Sequence, residues 1–181
     1  MNVPTTAHDN ELRLTMGRLV AIAGAMWIAF LGVDFLFSAG LLSRYYVNPG
    51  PVFLPPALMF RRIPFGYGSF LLLTALLLWL ERHLDIRGAA SGARFGAGFG
   101  LVFAVAGNVG LFSMFPLGGD MLAAWAACEL AEFTVAGAIG GAGLAQTRAA
   151  RLYAVAGGIL LGGFLVAAVM QNLGLAVATR R

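Results

Sequence analysis

MLAAWAACELAEFTVAGAIGGAGL, residues 121–144, decides the fold. These 24 residues contain no basic group and no proline. As a helix rising ~1.5 Å per residue they are long enough for a hydrocarbon layer that takes ~20 apolar residues to cross. Glu129 and Glu132 interrupt an otherwise apolar stretch. An ionised carboxylate near mid-membrane costs roughly 2.5–3.5 kcal/mol on insertion scales. Each must therefore be paired, hydrated, protonated or put to use, and the pair is the first place to look for function.

Working outward, four more apolar stretches of spanning length lie at residues 19–42, 63–80, 95–115 and 152–177. With 121–144 they predict an all-α, polytopic membrane protein of five transmembrane helices, flanked by a polar N-terminal tail (1–18) and a short C-terminal tail (178–181). The chain has 181 residues, 60% hydrophobic and 11% charged, which excludes a water-soluble globule. The net charge of +4 comes with twelve arginines, no lysine and no long basic cluster, so anchoring at the lipid bilayer explains the basic groups and nucleic acid does not. A secretory signal has a shorter apolar core of about 7–15 residues, so 19–42 reads as a retained span.

Between the first two spans, residues 48–64 hold Pro49, Pro51, Pro55, Pro56 and Pro64, a pattern that argues against a continuous helix. This Pro-rich segment is expected to lie at the interface or to cap the bundle. Arg44, Tyr45 and Tyr46 before it, Arg61 and Arg62 within it, and Trp79 at the far end of span two read as interface anchors. His83, beside Glu81 and Arg82, reads as solvated, and the leucine run 71–80 as lipid-facing. The turn at 116–120 is short enough to make spans three and four antiparallel neighbours.

Glycines four apart recur at Gly92, Gly96 and Gly100, at Gly137 and Gly141, and at Gly158 and Gly162. Small residues let helix backbones approach closely in lipid, so spans three to five are expected to form the tight core. A local echo, Arg18-Leu-Val-Ala-Ile-Ala-Gly24 against Arg151-Leu-Tyr-Ala-Val-Ala-Gly157, would set spans one and five parallel. Seven arginines fall on the N-terminal side of the membrane and five on the other, which favours a cytoplasmic N-terminus in a bacterial-type inner membrane.

Asp34, Asn108, Glu129 and Gln171 each lie six to eight residues from the span end nearest the Pro-rich loop, with Glu132 one turn deeper. Counting rise alone sets them in one polar layer ~9–12 Å below that face. Three acids with no arginine at that depth cannot all stay charged, so a cation neutralises them or at least one is protonated. No metal or cofactor is called for, because His8 and His83 lie far from the layer and the lone Cys128 reads as a packing residue. The first reading is a non-enzymatic structural, assembly or accessory subunit, in a homo-oligomer or with other membrane subunits. The alternative is a transporter or channel for a proton or small cation using Asp34, Glu129 and Glu132. A membrane-embedded enzyme ranks third.

Overall fold

The computed structural model describes residues 15–47 and 54–177. The chain enters helix α1 (Met16–Phe35) through Thr15, whose hydroxyl accepts from the Arg18 N–H at 3.3 Å. Helix α1 runs on into a π-helical segment, Leu36–Leu41, and then a short helix α2, Ser43–Val47. Helices α3 (Pro56–His83), α4 (Ala89–Met114), α5 (Gly119–Leu144) and α6 (Ala149–Asn172) complete the bundle. Among the described residues five helical stretches are long and apolar enough to cross a membrane, and the protein is an all-α polytopic membrane protein.

The Pro-rich segment divides. Pro49, Pro51 and their neighbours through residue 53 lie outside the described residues, as do 1–14 and 178–181. Residues 56–64, expected to be non-helical, instead form the first turns of α3. Pro55 is the N-cap and Pro56 the first helical residue, where a missing N–H removes nothing that was bonded. Pro64 lies inside the helix at the cost of one ladder bond, a defect a packed membrane helix tolerates. The leucine run is only partly lipid-facing. Leu71, Leu72 and Leu76 are exposed, whereas Leu77 and Leu78 are buried.

The core sits on α1, and this corrects the expectation that spans three to five form it. Ile22, Ala25, Met26, Ala29 and Phe30 are all essentially inaccessible. Around them pack Leu77 of α3, Phe133 and Ala136 of α5, and Leu152 and Ala156 of α6. Helix α6 rests chiefly on α1 and scarcely on α5. The two run parallel: Gly24 lies against Tyr153, Gly32 against Leu160, and Gly40 against Ala167. These are the helices that carry the Arg-Leu-x-Ala-x-Ala-Gly echo.

The most extensive pairing is antiparallel, between α4 and α5. A methyl on Gly92 or Gly96 would strike the carbonyl of Gly137 or Phe133, one on Gly100 would strike the Phe133 side chain, and one on Gly141 would strike the carbonyl of Gly88. Gly88 holds a φ of +90° and donates its N–H to the Gly141 carbonyl at 2.8 Å, which ties the α3–α4 turn to α5. On α6 the predicted ridge is misplaced. Gly158 and Gly162 have open space at the Cβ position, and the close approach is made by Gly163 against the Gly32 carbonyl. Helix α6 presents its small side to α1 one residue away from the predicted stripe, because its partner is not the one assumed.

Gly163→Ala and Gly96→Ala should each destabilise the bundle by about 1–3 kcal/mol, the usual cost of overpacking. Gly158→Ala should leave it unchanged or slightly more stable. Thermal unfolding in detergent followed by circular dichroism checks this, and equal midpoints for Gly163→Ala and Gly158→Ala would disprove the packing assignment.

Candidate intramembrane acid site

Antiparallel packing of α1 on α5 fixes what lies opposite what. Ile22 meets Gly143, Met26 meets Gly140, and the Phe30 and Phe133 rings meet edge to face at 5.4 Å. One further turn along brings Asp34 to the level of Cys128 and Glu132. Ligand atoms of Asp34, Cys128 and Glu132 all lie within 4.8 Å of one another. Cys128 and Glu132 are four apart on one helix face, and the thiol donates to Glu132 Oε1 at 3.3 Å. The Ser38 hydroxyl donates to Asp34 Oδ1 at 3.0 Å across the junction where α1 gives way to the π-helical segment. Single π turns of this kind are frequent at functional sites.

Glu132 is 3% exposed and Cys128 is likewise buried. Glu129 is half-buried, and its Oε2 is out of contact with solvent and has no hydrogen-bond partner. Among the described residues the ion pair Arg87–Asp85 is the only one, and it lies in a loop. Three acids thus gather on two helices with no guanidinium paired to them. The trio of carboxylate, thiol and carboxylate can hold a proton or a cation, and Cys128, expected as a packing residue, is part of it.

The other members of the predicted layer do not join. The glycine register of α4 on α5, continued toward the α4–α5 turn, sets Asn108 opposite the 121–125 turn, one to two turns from Glu129. Its side-chain N–H donates to the Ala104 carbonyl at 2.8 Å, and Oδ1 has no partner. Gln171 donates to the Ala39 carbonyl at 2.8 Å, past Asp34 in the π-helical segment. Counting from span ends failed because the ends are not level: α6 stops at Asn172, short of the end assumed for the fifth span, so Gln171 lies in its last turn, and α4 carries Asn108 beside the first turns of α5.

The anchors also differ in their partners. Arg61, Arg62 and Trp79 are exposed, and Trp79 stacks on His83 at 5.5 Å. Arg44 lies over the Tyr45 ring, whose hydroxyl donates to Asp120 at 2.7 Å. Tyr46 turns inward instead and accepts from the Trp125 indole at 2.8 Å. Burial raises the Tyr46 phenol above its ordinary value against that bond, so it stays a neutral hydroxyl.

A cavity of about 330 Å³ opens between α1 with its π-helical segment and the first half of α3. Asp34, Ser38, Tyr46 and Tyr67 give it a polar side, and Phe60 and Phe70 an apolar one. Trp27 braces the α3 wall by donating to the Tyr67 carbonyl at 2.9 Å. No family model, curated protein or solved structure matches the chain.

One buried acid escaped the sequence reading. Glu81, expected at the membrane surface, is 0% exposed, and both its carboxyl oxygens lack a partner. It packs where α3 meets α5, close enough to Gly140 that a methyl there would strike Glu81 Oε2. The signal lay in spacing: Thr74, Leu77, Leu78 and Glu81 share one buried face, hidden by the apolar residues all round that span. An unsatisfied buried polar group costs ~1–3 kcal/mol, so Glu81→Met, which keeps volume and removes the oxygens, should stabilise the protein by about that amount. Chemical or thermal unfolding of Glu81→Met in detergent tests this; a lowered midpoint would mean that Glu81 has a partner in the membrane.

Proposed function

We propose that this protein binds and releases a proton or small cation within the membrane as part of a transport cycle, with Asp34 and Glu132 as the groups that carry it. The observation that supports this best is the meeting of Asp34, Cys128 and Glu132 within 4.8 Å beside a polar-walled cavity, with no basic side chain among the described residues paired to them. A purely structural polar layer would be expected to satisfy its own members. Here Glu129 Oε2, beside the trio on α5, is buried without a partner, which favours exchange with a mobile cation over a fixed hydrogen-bond lattice.

Asp34 lines the cavity and Glu132 is sealed behind it, an arrangement suited to one acid in contact with the cavity and a second that shares its proton. The reading requires binding and transfer and no bond-making step, so the protein is proposed not to be an enzyme. Its location is proposed to be a bacterial-type inner membrane with the N-terminus cytoplasmic. Five spans leave little room for a wide path inside one protomer, which supports assembly into a homo-oligomer or with other membrane subunits.

In liposomes with an internal pH indicator, the wild-type protein should dissipate an imposed pH gradient or couple it to uptake of a cation. Asp34→Asn and Glu132→Gln should each reduce that flux by a factor of ~100 or more, the lower end of what a positioned proton-transfer group contributes, with the melting midpoint kept. Flux that persists in both variants would rule the reading out.

A further inference from the structure

Deepening the acid-site reading, on which it rests for the role of Asp34, we infer that the cavity between α1 and α3 is a binding site for a small organic cation, an ammonium or similar group carried on an apolar body. Its volume of about 330 Å³ lies within the ~300–1,000 Å³ range of small-molecule pockets. Its composition is specific. One carboxylate, Asp34, and the hydroxyls of Ser38, Tyr46 and Tyr67 line it together with aromatic rings.

Phe35, Tyr67 and Phe70 form a run of neighbouring rings, Phe35 to Tyr67 at 6.3 Å and Tyr67 to Phe70 at 6.3 Å. Ring faces attract a cation within ~6 Å of the centroid, more strongly when it is desolvated, and a carboxylate at the end of an aromatic wall favours a positive ligand over a neutral or anionic one. Among the described residues no basic side chain lines the cavity to compete for Asp34. An anionic or sugar-like ligand would lack a guanidinium or a set of amide donors.

The titratable groups around Asp34 are Tyr46 from α2, Tyr67 from α3, and Cys128, Glu129 and Glu132 from α5; α6 contributes no acid or base there. Every one is an acid. A cation reaching Asp34 therefore takes the place of a proton, and one proton leaves as one positive charge enters. Substrate binding and proton release become a single exchange at one carboxylate.

The two flanking tryptophans report on the site. Trp27 is bonded to the Tyr67 carbonyl and Trp125 to the Tyr46 hydroxyl, whereas Trp79 lies at the other end of α3. The purified full chain carrying Trp79→Phe is titrated, in weakly buffered detergent solution, with benzyltrimethylammonium and with its uncharged isostere neopentylbenzene. The expected result is a saturable fluorescence change for the cation, with proton release, at a concentration about tenfold or more below that needed for the isostere.

Asp34→Asn should weaken the cation response about tenfold or more. Gly66→Leu should do the same by filling the cavity: Gly66 lines it, and a Cβ there meets nothing within 4 Å, with an unchanged melting midpoint as the check that the fold is kept. Equal binding of the isostere, or an undiminished response in Gly66→Leu, would overturn the inference. In nanodiscs, competition by phosphatidylethanolamine but not by phosphatidylglycerol identifies a lipid headgroup as the source of the ammonium, and no competition identifies a free solute; both support the site. No cation response in a protein whose proton flux depends on Asp34 overturns this inference alone. Saturable cation binding without proton release, in a protein whose flux ignores Asp34→Asn, overturns the transport reading instead.

Discussion

The close approach of α1 to its neighbours is the constraint on which the rest of the structure depends. In lipid, apolar side chains gain little by meeting one another, so helices associate where backbones can come near. Gly140 and Gly143 of α5 receive Met26 and Ile22, and Gly163 of α6 receives the backbone at Gly32. Helix α1 is thereby held on two sides. Because α5 runs antiparallel to it and α6 parallel, every polar group on α1 has a defined level on each partner. Asp34 faces Cys128 and Glu132 because Ile22 and Met26 face glycines about three and two turns earlier, respectively.

That packing also explains how acids come to be buried without cations. A helix wedged this tightly leaves no room for an arginine, and Arg18, the one basic residue on α1, spends its guanidinium on the carbonyls of Gly143 and Thr147 at 3.1 and 3.3 Å. Those carbonyls close the C-terminal end of α5, where a positive charge is favoured by the helix dipole. The acids lie further along the same two helices, out of its reach.

Existence and number of the helices were legible because apolar length is a property of sequence alone: 121–144 reads as a span and is one. The carboxylates were legible for the same reason, since a charge in such a run stands out. Their grouping was legible only in part. Asp34 and Glu132 meet, but Asn108 and Gln171 bond to backbone at other levels, because depth was counted from span ends that are not level: α6 ends at Asn172, so Gln171 lies in its last turn, and Asn108 stands opposite the first turns of α5. Helix partners were misread where glycine spacing was matched without knowing which face is turned inward: Gly92, Gly96 and Gly100 lie at an interface, Gly158 and Gly162 do not, and Gly163 does. Glu81 was missed because it falls at the end of an apolar run, where a charged residue reads as the start of the water.

Glu132 and Glu81 both address one face of α5, near residues 132 and 140, about 12 Å apart along its axis. Between them lie Phe30, Met26, Phe133 and Ala136, all fully buried and none with a polar side-chain atom able to relay a proton. Among the described residues, then, no chain of hydrogen-bonding side chains joins the two acids. An apolar plug thus separates the Asp34–Glu132 cluster from Glu81. The side chains that supply this separation are the same ones that pack α1 into the core.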